Sequence, residues 1–192
     1  MLNYILCDIE ATGNRDQDRI IQLGLMVFEN SIATQPVYTS NELNSTMAEM
    51  MSEAMEIHNI TPEMLKDKKP LHETNGYSKL CELNNKANIF IAHDAPSDMK
   101  MLRRESFNSE MTVIDTLRCA RHLFDHLDTH RLQFLRYELG LYRDEDTEAE
   151  KLDIDLKAHD AISDVLVMKI LLSRLILWII ICKSVLSFLI LF

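Results

Sequence analysis

The sequence predicts one α/β domain built on a mixed β-sheet, and three features of the chain carry this prediction. Its 192 residues suffice for one well-buried core and are few for two. The composition, 47% hydrophobic and 26% charged, is typical of a folded globular protein. Apolar runs first follow one another at short spacing, as antiparallel strands do, and later alternate with helical patterns.

The first part of the chain is predicted to form antiparallel strands. Tyr4–Ile9 is apolar apart from Asp8 and ends at a turn. Ile20–Phe28 is rich in β-branched and large apolar residues. Ile32–Tyr38 is a candidate third strand, in which Pro36 favours an edge position or a strand end.

The rest of the chain is predicted to alternate helices with two short strands. Thr61 and Pro62 give a helix start signal, with threonine as N-cap and proline at the first position. The acidic stretch Asp144–Asp155 is expected to be a solvated loop. The predicted strands are Asn88–Ala92 and Met111–Ile114, and the predicted helices are Thr46–His58, one from Pro62, Tyr77–Leu83, Ser97–Glu105, Thr116–Leu123, Leu132–Leu139 and Ala158–Leu172.

Charge and cysteine usage limit the functional classes. The formal net charge of −10 is unusual for a protein that binds phosphates, although bound divalent cations would offset part of it. Met1–Gly13 resembles a strand with acidic residues, so no signal peptide is expected. A cytoplasmic, reducing location is expected because the cysteines form no CxxC pair and fit neither a disulfide framework nor a zinc site: Cys7, Cys81, Cys119 and Cys182.

Two carboxylates on the first strand are the first sign of a catalytic site. Asp8 and Glu10 are two residues apart, so their side chains leave the strand on one face. Neighbouring buried carboxylates repel each other, and a divalent cation removes that cost. Alone, this pair is equally compatible with an exposed strand edge.

Two further acidic motifs each begin a predicted helix. Asp98 follows His93-Asp94 in the first turn of its helix, where a carboxylate also acts as an ordinary capping residue. His159 precedes Asp164 by five residues at the opening of the last amphipathic helix. A single histidine at such a position is usually a surface residue, and the significance lies in the ordered combination of the three motifs.

In this combination the chain resembles the DEDDh (DnaQ-like) 3′–5′ exonucleases over residues 1–172. Leu6–Gly13 is similar to the first motif of that superfamily, Ala92–Asp98 to the second and His159–Asp164 to the third. The sister class has tyrosine four residues before the last aspartate, where this chain has Asp160. Ala54–Thr61 resembles a segment of exonuclease X-like members, and polymerase proofreading subunits are relatives of the same kind.

The resemblance implies an RNase H-like fold, a five-stranded mixed sheet flanked by helices, and assigns roles to individual residues. Asp8, Glu10, Asp98 and Asp164 would hold two Mg²⁺ or Mn²⁺ ions. His159 would be the general base that takes a proton from the attacking water. The product would be a nucleoside 5′-monophosphate.

The resemblance also implies a binding site for the terminal nucleotide. Backbone amides around Ile9, Thr12 and Gly13 would approach it, and His58 would contact it. Asp94 stands where an asparagine is usual, and either weakens the substrate contact or extends the metal site. Ser97 replaces a usual phenylalanine. Asn14 and Arg15 stand where some relatives have an apolar wedge, which favours single-stranded substrate.

Other features leave alternatives open. DNA in repair or proofreading is the expected substrate, with RNA trimming and a weakly catalytic binding module for a polymerase or repair protein as alternatives. Arg103, Arg104, Arg118 and Arg121 are candidates for phosphate contacts. His122, His126 and His130 have a spacing compatible with zinc on one helix, but a break between helices is expected there.

The domain is expected to end at residue 174. The tail Leu175–Phe192 has one charge, Lys183, among its eighteen residues. Its length approaches a membrane span, although a charge near its middle disfavours that interpretation. The alternatives are a helix packed on a partner, or a segment produced by truncation or a shifted reading frame.

Overall fold

The mixed five-stranded sheet is confirmed in a computed structural model, which describes residues 1–157 and 159–189. The strand order is β3-β2-β1-β4-β5. The pairs β1–β2 and β2–β3 are antiparallel, while β1–β4 and β4–β5 are parallel. The strands are β1 (Asn3–Ala11), β2 (Ile20–Glu29), β3 (Tyr38–Leu43), β4 (Ile89–Ala92) and β5 (Thr112–Asp115).

The third strand was misplaced by the hydrophobic pattern. It is not Ile32–Tyr38 but Tyr38–Leu43, a largely polar segment at the edge of the sheet. The residues before it form a turn, in which Ala33 N–H and the Thr34 hydroxyl donate hydrogen bonds to Ser31. An edge strand with one solvated face lacks the apolar run on which the prediction relied.

The predicted helices are present, most of them with shifted ends, while the helix Thr116–Leu123 has the predicted bounds. The helices are α1 (Ser52–His58), α2 (Pro62–Leu65), α3 (Asn75–Glu82), α4 (Ala95–Arg104), α5 (Thr116–Leu123), α6 (Leu132–Glu138), α7 (Tyr142–Leu152) and α8 (Ala161–Leu189), and Leu71–Glu73 forms a 3₁₀ turn. Helix α1 begins six residues later than expected because the backbone at Met51 is extended and its N–H donates to the Thr12 carbonyl at 2.9 Å. The expected start of the last helix, Ala158, lies outside the described residues.

The acidic stretch was wrongly expected to be a solvated loop. It forms helix α7, and Glu145 within it is only 2% exposed. Glu145 accepts two hydrogen bonds from Arg136 Nε, at 2.7 and 2.8 Å, and one from a terminal guanidinium nitrogen at 2.5 Å. A charge pattern shows neither burial nor the partner that makes burial possible.

The core has two layers, one on each face of the sheet, and this arrangement fixes the direction of the first-strand carboxylates. Along β1, Ile5 and Cys7 pack against one layer, whereas Leu6 packs against the layer that contains α8. Because side chains alternate along a strand, Asp8 and Glu10 share the face of Leu6. Both carboxylates therefore point toward the side on which α8 packs.

Helix α8 continues across the expected boundary at residue 174. Leu175 is buried, and the Trp178 ring meets Phe124 edge to face at 5.9 Å between centroids. Ile176, Leu177, Ile179 and Ile180 are each at least 40% exposed. Residues 190–192 of the expected tail lie outside the described residues. Over the helices that are described, none has the length and apolar character of a membrane span.

Candidate active site

Three carboxylates from distant parts of the chain meet above β1. Asp8 and Glu10 lie on that strand, and Asp164 comes from the first turn of α8. One oxygen from each lies within 4.8 Å of the others. This is the one such cluster of possible ligands in the part of the chain that the structure describes. The paired acids of the first motif and the acid of the third thus form one group.

Asp98 lies beside this group but is not part of the closest cluster. It is 8% exposed in the first turn of α4. Its charge raises the pKa of Asp8, and the charge of Glu10 contributes to raising the pKa of Asp98. The second motif therefore adds a fourth carboxylate, which lies outside the 4.8 Å cluster formed by the other three.

The carboxylates strongly oppose one another's ionisation. Burial, followed by the charges of Asp164, Asp98 and Glu10, raises the pKa of Asp8 well above its usual value. Burial and then Asp164 and Asp160 raise the pKa of Glu10 to about 8. Burial raises the pKa of Asp164 to about 6 against the opposing charges of His159 and Arg136. Such a concentration of negative charge is well matched to a cation.

The donor set fits hard divalent cations. All four side chains present carboxylate oxygens, without sulfur or imidazole in the closest cluster, and this chemistry suits Mg²⁺ or Mn²⁺. Burial and then the neighbouring carboxylates raise the pKa of Asp8 and of Glu10, and a bound cation would offset both costs. The residues present therefore fit such ions.

His159 lies close to Asp164 of this cluster. It is half-buried, and its backbone is left-handed, with a φ of 53°, just before α8 begins. When protonated, it lowers the pKa of both Asp164 and His58. The histidine of the third motif is thus near enough to Asp164, and to His58 in the cavity wall, for its charge to act on both.

Asp164 is also held from the side of α6. Gln133 Nε2 donates to Asp164 Oδ1 at 2.7 Å, and an Arg136 guanidinium nitrogen donates to Gln133 Oε1 at 3.3 Å. Arg136 in turn is paired with buried Glu145. These supports could not be predicted from the sequence, because polar residues on a short amphipathic helix have no distinguishing pattern.

An apolar cavity of about 540 Å³ adjoins the cluster. His58, 5% exposed, lies in its wall and accepts a hydrogen bond from Ile60 N–H at its Nδ1 (2.9 Å). Its buried Nε2 has no hydrogen bond within the described residues, although the Ala11 carbonyl lies near enough to favour its protonation. Burial is the larger influence and lowers the pKa of His58. The cavity is lined by Glu10, Ala11, Gly13, Asn14, Arg15, Met51, Glu53, Ala54, Ile57 and His58.

In the turn after β1, Thr12 is bonded within the hairpin itself. Thr12 is fully buried, donates its N–H to the Arg19 carbonyl at 2.9 Å, and donates its hydroxyl to Asp18 at 3.2 Å. Its amide is therefore engaged within the hairpin. Gly13 lines the cavity, and a β-carbon there would lie 2.6 Å from Asp18 Oδ2. Ile9 packs against the core on the opposite face, so only its backbone is near the site.

Asp94 and Ser97, the two residues that depart from the usual second motif, are bonded to each other. Asp94 is exposed, has a left-handed φ of 74°, and donates its N–H to Asp115 Oδ1 at 3.1 Å. The Ser97 hydroxyl donates to Asp94 Oδ2 at 2.8 Å. The Asp94 charge is the main electrostatic influence that raises the pKa of Asp98, after burial.

The histidine spacing at residues 122–130 does not create a zinc site. Helix α5 ends at Leu123, so the expected break between helices is confirmed. The His130 ring donates through Nε2 to the Phe124 carbonyl at 2.8 Å, which places it in the connection between α5 and α6.

The chain belongs to the family of the exonuclease model RNase_T, which matches residues 5–172, and within it to the DEDDh, DnaQ-like 3′–5′ exonucleases. DNA polymerase III subunit epsilon of Rickettsia prowazekii is 33% identical over 139 residues, 64% of this chain and 56% of that protein. The 3′-5′ exonuclease DinG of Bacillus subtilis is 24% identical over 77% of this chain and 16% of its own length. The chain thus spans only part of these curated relatives.

Solved structures support the same fold. Exonuclease X in complex with 5′ overhanging duplex DNA superimposes with a TM-score of 0.63 at 21% identity, covering 91% of this chain and 90% of that one. Escherichia coli Exonuclease I in complex with a dA16 oligonucleotide gives a TM-score of 0.65 at 16% identity, covering 92% and 41%. The RNase H-like fold expected from the motifs is confirmed.

Proposed function

We propose that this chain is a metal-dependent exonuclease that hydrolyses DNA from its 3′ end and releases nucleoside 5′-monophosphates. The observation that carries the proposal is the meeting of Asp8, Glu10 and Asp164 within 4.8 Å, with Asp98 beside them. These four carboxylates would hold two Mg²⁺ or Mn²⁺ ions. When bound, such ions stabilise the charge on the attacking and leaving oxygens of phosphodiester hydrolysis.

His159 is the proposed general base. It lies near Asp164, and a neutral imidazole can accept a proton from the attacking water. The five-residue spacing to Asp164 places both at the start of α8. Holding a nucleic acid alone does not need a proton acceptor, so His159 favours an enzyme over a binding module.

The apolar cavity is the proposed site of the terminal nucleoside. Its wall offers Met51, Ala54 and Ile57 to a base. His58 Nε2, which has no hydrogen bond within the described residues, is available to a sugar hydroxyl. Gly13, which also lines the cavity, would let the backbone near Ile9 and Thr12 approach the nucleoside, with the Thr12 N–H itself kept by the Arg19 carbonyl. Asp94 would meet the following part of the strand. The polar residues Asn14 and Arg15 favour single-stranded DNA.

The cellular setting is also a proposal. A role in repair or proofreading, in the cytoplasm and with a polymerase or repair protein as partner, is supported by the relative named as a polymerase subunit. RNA trimming is the second candidate, because the described site contains no residue that we can assign to reading a 2′-hydroxyl.

The test is degradation of 5′-labelled single- and double-stranded DNA and RNA, with Mg²⁺ or EDTA. The wild-type chain should shorten single-stranded DNA only with the metal. Asp8→Asn, which keeps the side-chain shape, should lose at least about a thousand-fold in kcat because a metal ligand is removed. Glu29→Gln, at the far end of the β1–β2 pair, is the matched control and should keep wild-type activity.

Two results would contradict the proposal. Asp8→Asn with wild-type activity would mean that the carboxylate cluster does not perform the reaction. Faster turnover of RNA than of the matched DNA would mean that RNA is the substrate, while the assignment of the carboxylate cluster as the active site would stand.

A further inference from the structure

The start of α8 is fastened to the sheet by side chains that belong to none of the recognised motifs. Gln22 Nε2 donates to Asp160 Oδ1 at 2.7 Å, and Gln22 Oε1 accepts from Ala161 N–H at 3.2 Å. Asn41 Nδ2 lies 3.0 Å from each carboxylate oxygen of Asp160. Strands β2 and β3 therefore both hold the residue that immediately precedes the helix.

In the sequence, Asp160 lies between the two candidate catalytic residues His159 and Asp164. It directly follows His159, and its carbonyl accepts from Asp164 N–H at 3.0 Å in the first turn of α8. The left-handed backbone of His159 is unfavourable for a residue with a side chain and persists only where its neighbours fix it. Fixing Asp160 thus restrains the residue before it and the turn after it.

The position of Gln22 points to a role at the site. It lies opposite Glu10 in the β1–β2 pairing and is only 4% exposed. Both polar atoms of its amide bond to the helix start. An apolar side chain would fill the same space at lower desolvation cost, so a buried amide here is explained by the bonds that it makes.

Gln22 and Asn41 bring no charge to the carboxylate cluster. Asp160 does, since its charge contributes to raising the pKa of Asp8, Glu10 and Asp164. Substitution of Asp160 would therefore change geometry and charge together. Substitution of either amide changes the geometry alone, which makes these two residues the suitable probes.

We propose that Gln22 and Asn41 are positioning residues that, by holding Asp160, set the places of His159 and Asp164 for hydrolysis. This inference rests on the proposed function. Neither amide needs to touch substrate or metal. Each acts through the backbone and side chain at the start of α8.

The experiment uses Gln22→Met and Asn41→Leu, which keep side-chain volume and remove the hydrogen bonds. Asn84→Leu is the matched control, because the Asn84 amide also joins distant segments, through bonds of 2.8 Å to Asn108 and Glu110. Asn84 precedes β4 and lies at the opposite end of the sheet from the carboxylates. For each protein kcat, KM, the melting temperature and the affinity for Mn²⁺ are measured.

We expect Gln22→Met and Asn41→Leu each to lower kcat about ten-fold or more and to change KM less than about two-fold, because a small displacement of reacting groups is costly. The control should lose thermal stability with an unchanged kcat. Wild-type kcat in Gln22→Met, or an equal fall of kcat in Asn84→Leu, would overturn the positioning role.

A rescue separates positioning from general damage. Gln22→Glu places a second carboxylate against Asp160 and should lower kcat strongly. Adding Asp160→Asn reverses donor and acceptor in the same hydrogen bond, so the double variant should exceed Gln22→Glu in kcat. A double variant no better than Gln22→Glu would contradict the proposed bond.

The Mn²⁺ titration keeps this inference distinct from the proposed function. If the wild-type chain degraded no nucleic acid, the proposed function would fail, yet Mn²⁺ binding would still report on Asp164. We expect Gln22→Met to bind Mn²⁺ several-fold more weakly than the wild type. Equal affinity in the two proteins would refute the positioning role without reference to turnover.

Discussion

Gly24 on β2 lies against the backbone of Ala161 at the start of α8, so closely that no side chain fits between them. A β-carbon on Gly24 would lie 2.6 Å from the Ala161 carbonyl carbon and 2.7 Å from the Ile162 nitrogen. Gly24 is also the residue that pairs with Asp8 across the β1–β2 ladder. The contact therefore brings the helix that carries Asp164 down onto the strand pair beside Asp8.

Gly24→Ala is expected to damage both stability and activity. The added methyl group must displace backbone, which costs about 1–3 kcal/mol of unfolding free energy and moves Asp164 away from Asp8. Denaturant unfolding and single-stranded DNA hydrolysis measure the two effects. Gly76→Ala is the control, because its β-carbon would meet the Ser40 hydroxyl at 2.9 Å, a side chain that can rotate. Equal losses in both variants would contradict the special role of the Gly24 contact.

The Arg136–Glu145 pair is expected to respond unequally to removal of its two members. Arg136→Leu leaves Glu145, 2% exposed, without a counter-charge and should cost about 3 kcal/mol of unfolding free energy. Glu145→Leu leaves a guanidinium that is 22% exposed and retains the Gln133 contact, so its cost should be smaller.

The double variant completes this test. Arg136→Leu with Glu145→Leu removes both charges and should be more stable than Arg136→Leu alone, as denaturant unfolding would measure. A double variant that lost the sum of the two single effects would mean that the side chains do not interact. Arg136→Leu should also lower kcat, because Arg136 supports Gln133 and through it Asp164.

The sequence was most informative where chemistry needs a fixed residue type. The strand–turn at Asp8–Gly13 and the two helix starts at Asp98 and Asp164 could be recognised because carboxylates at strand and helix ends have little structural reason to recur in order. The mixed five-stranded sheet was implied by the family resemblance that these motifs carry. The apolar run of β2 and the helical pattern of α5 also predicted these elements closely, because residues that are buried around the sheet must be apolar.

The parts that sequence analysis missed depend on long-range contacts. Asn41 lies on a polar edge strand, and its partner Asp160 is 119 residues away. Glu145 lies in a segment whose charges predicted exposure to solvent, and its charge is instead buried against Arg136. Gly24 carries no local signal either, since a glycine within a strand has several causes. Each of these residues is explained only by what the fold brings next to it.

Glu10 makes the stability of the metal-free protein depend on pH. Burial, Asp164 and Asp160 raise its pKa from 4.5 to about 8. Between these values the folded state keeps a proton that the unfolded chain has released, so the stabilising contribution of Glu10 is lost as pH rises through this window. In EDTA, Glu10→Gln should therefore melt increasingly above the wild type from pH 5 to about pH 8.

Divalent cations should reverse this order. With Mg²⁺ present, the wild type gains stability from its ionised carboxylates, and Glu10→Gln gains less because it lacks one oxygen ligand. Thermal melts across pH, with EDTA and with Mg²⁺, make the comparison. A melting-temperature difference that stayed constant with pH in EDTA would mean that Glu10 is not held protonated by its neighbours.

Asp94→Asn is expected to improve substrate binding. Asparagine adopts the left-handed backbone of this position, and its carbonyl oxygen can still accept from Ser97. The change removes an exposed negative charge beside the path of a polyanion and reduces the repulsion on Asp98. KM for single-stranded DNA should fall roughly two- to five-fold, the size of an exposed charge interaction, with the Mg²⁺ requirement unchanged or lower.

Glu29→Gln, the same loss of charge at the far end of the sheet, should leave KM unaltered. If Asp94→Asn instead raised the Mg²⁺ concentration needed for half-maximal activity, Asp94 would be an additional metal ligand, and its charge would serve the cation rather than oppose the substrate.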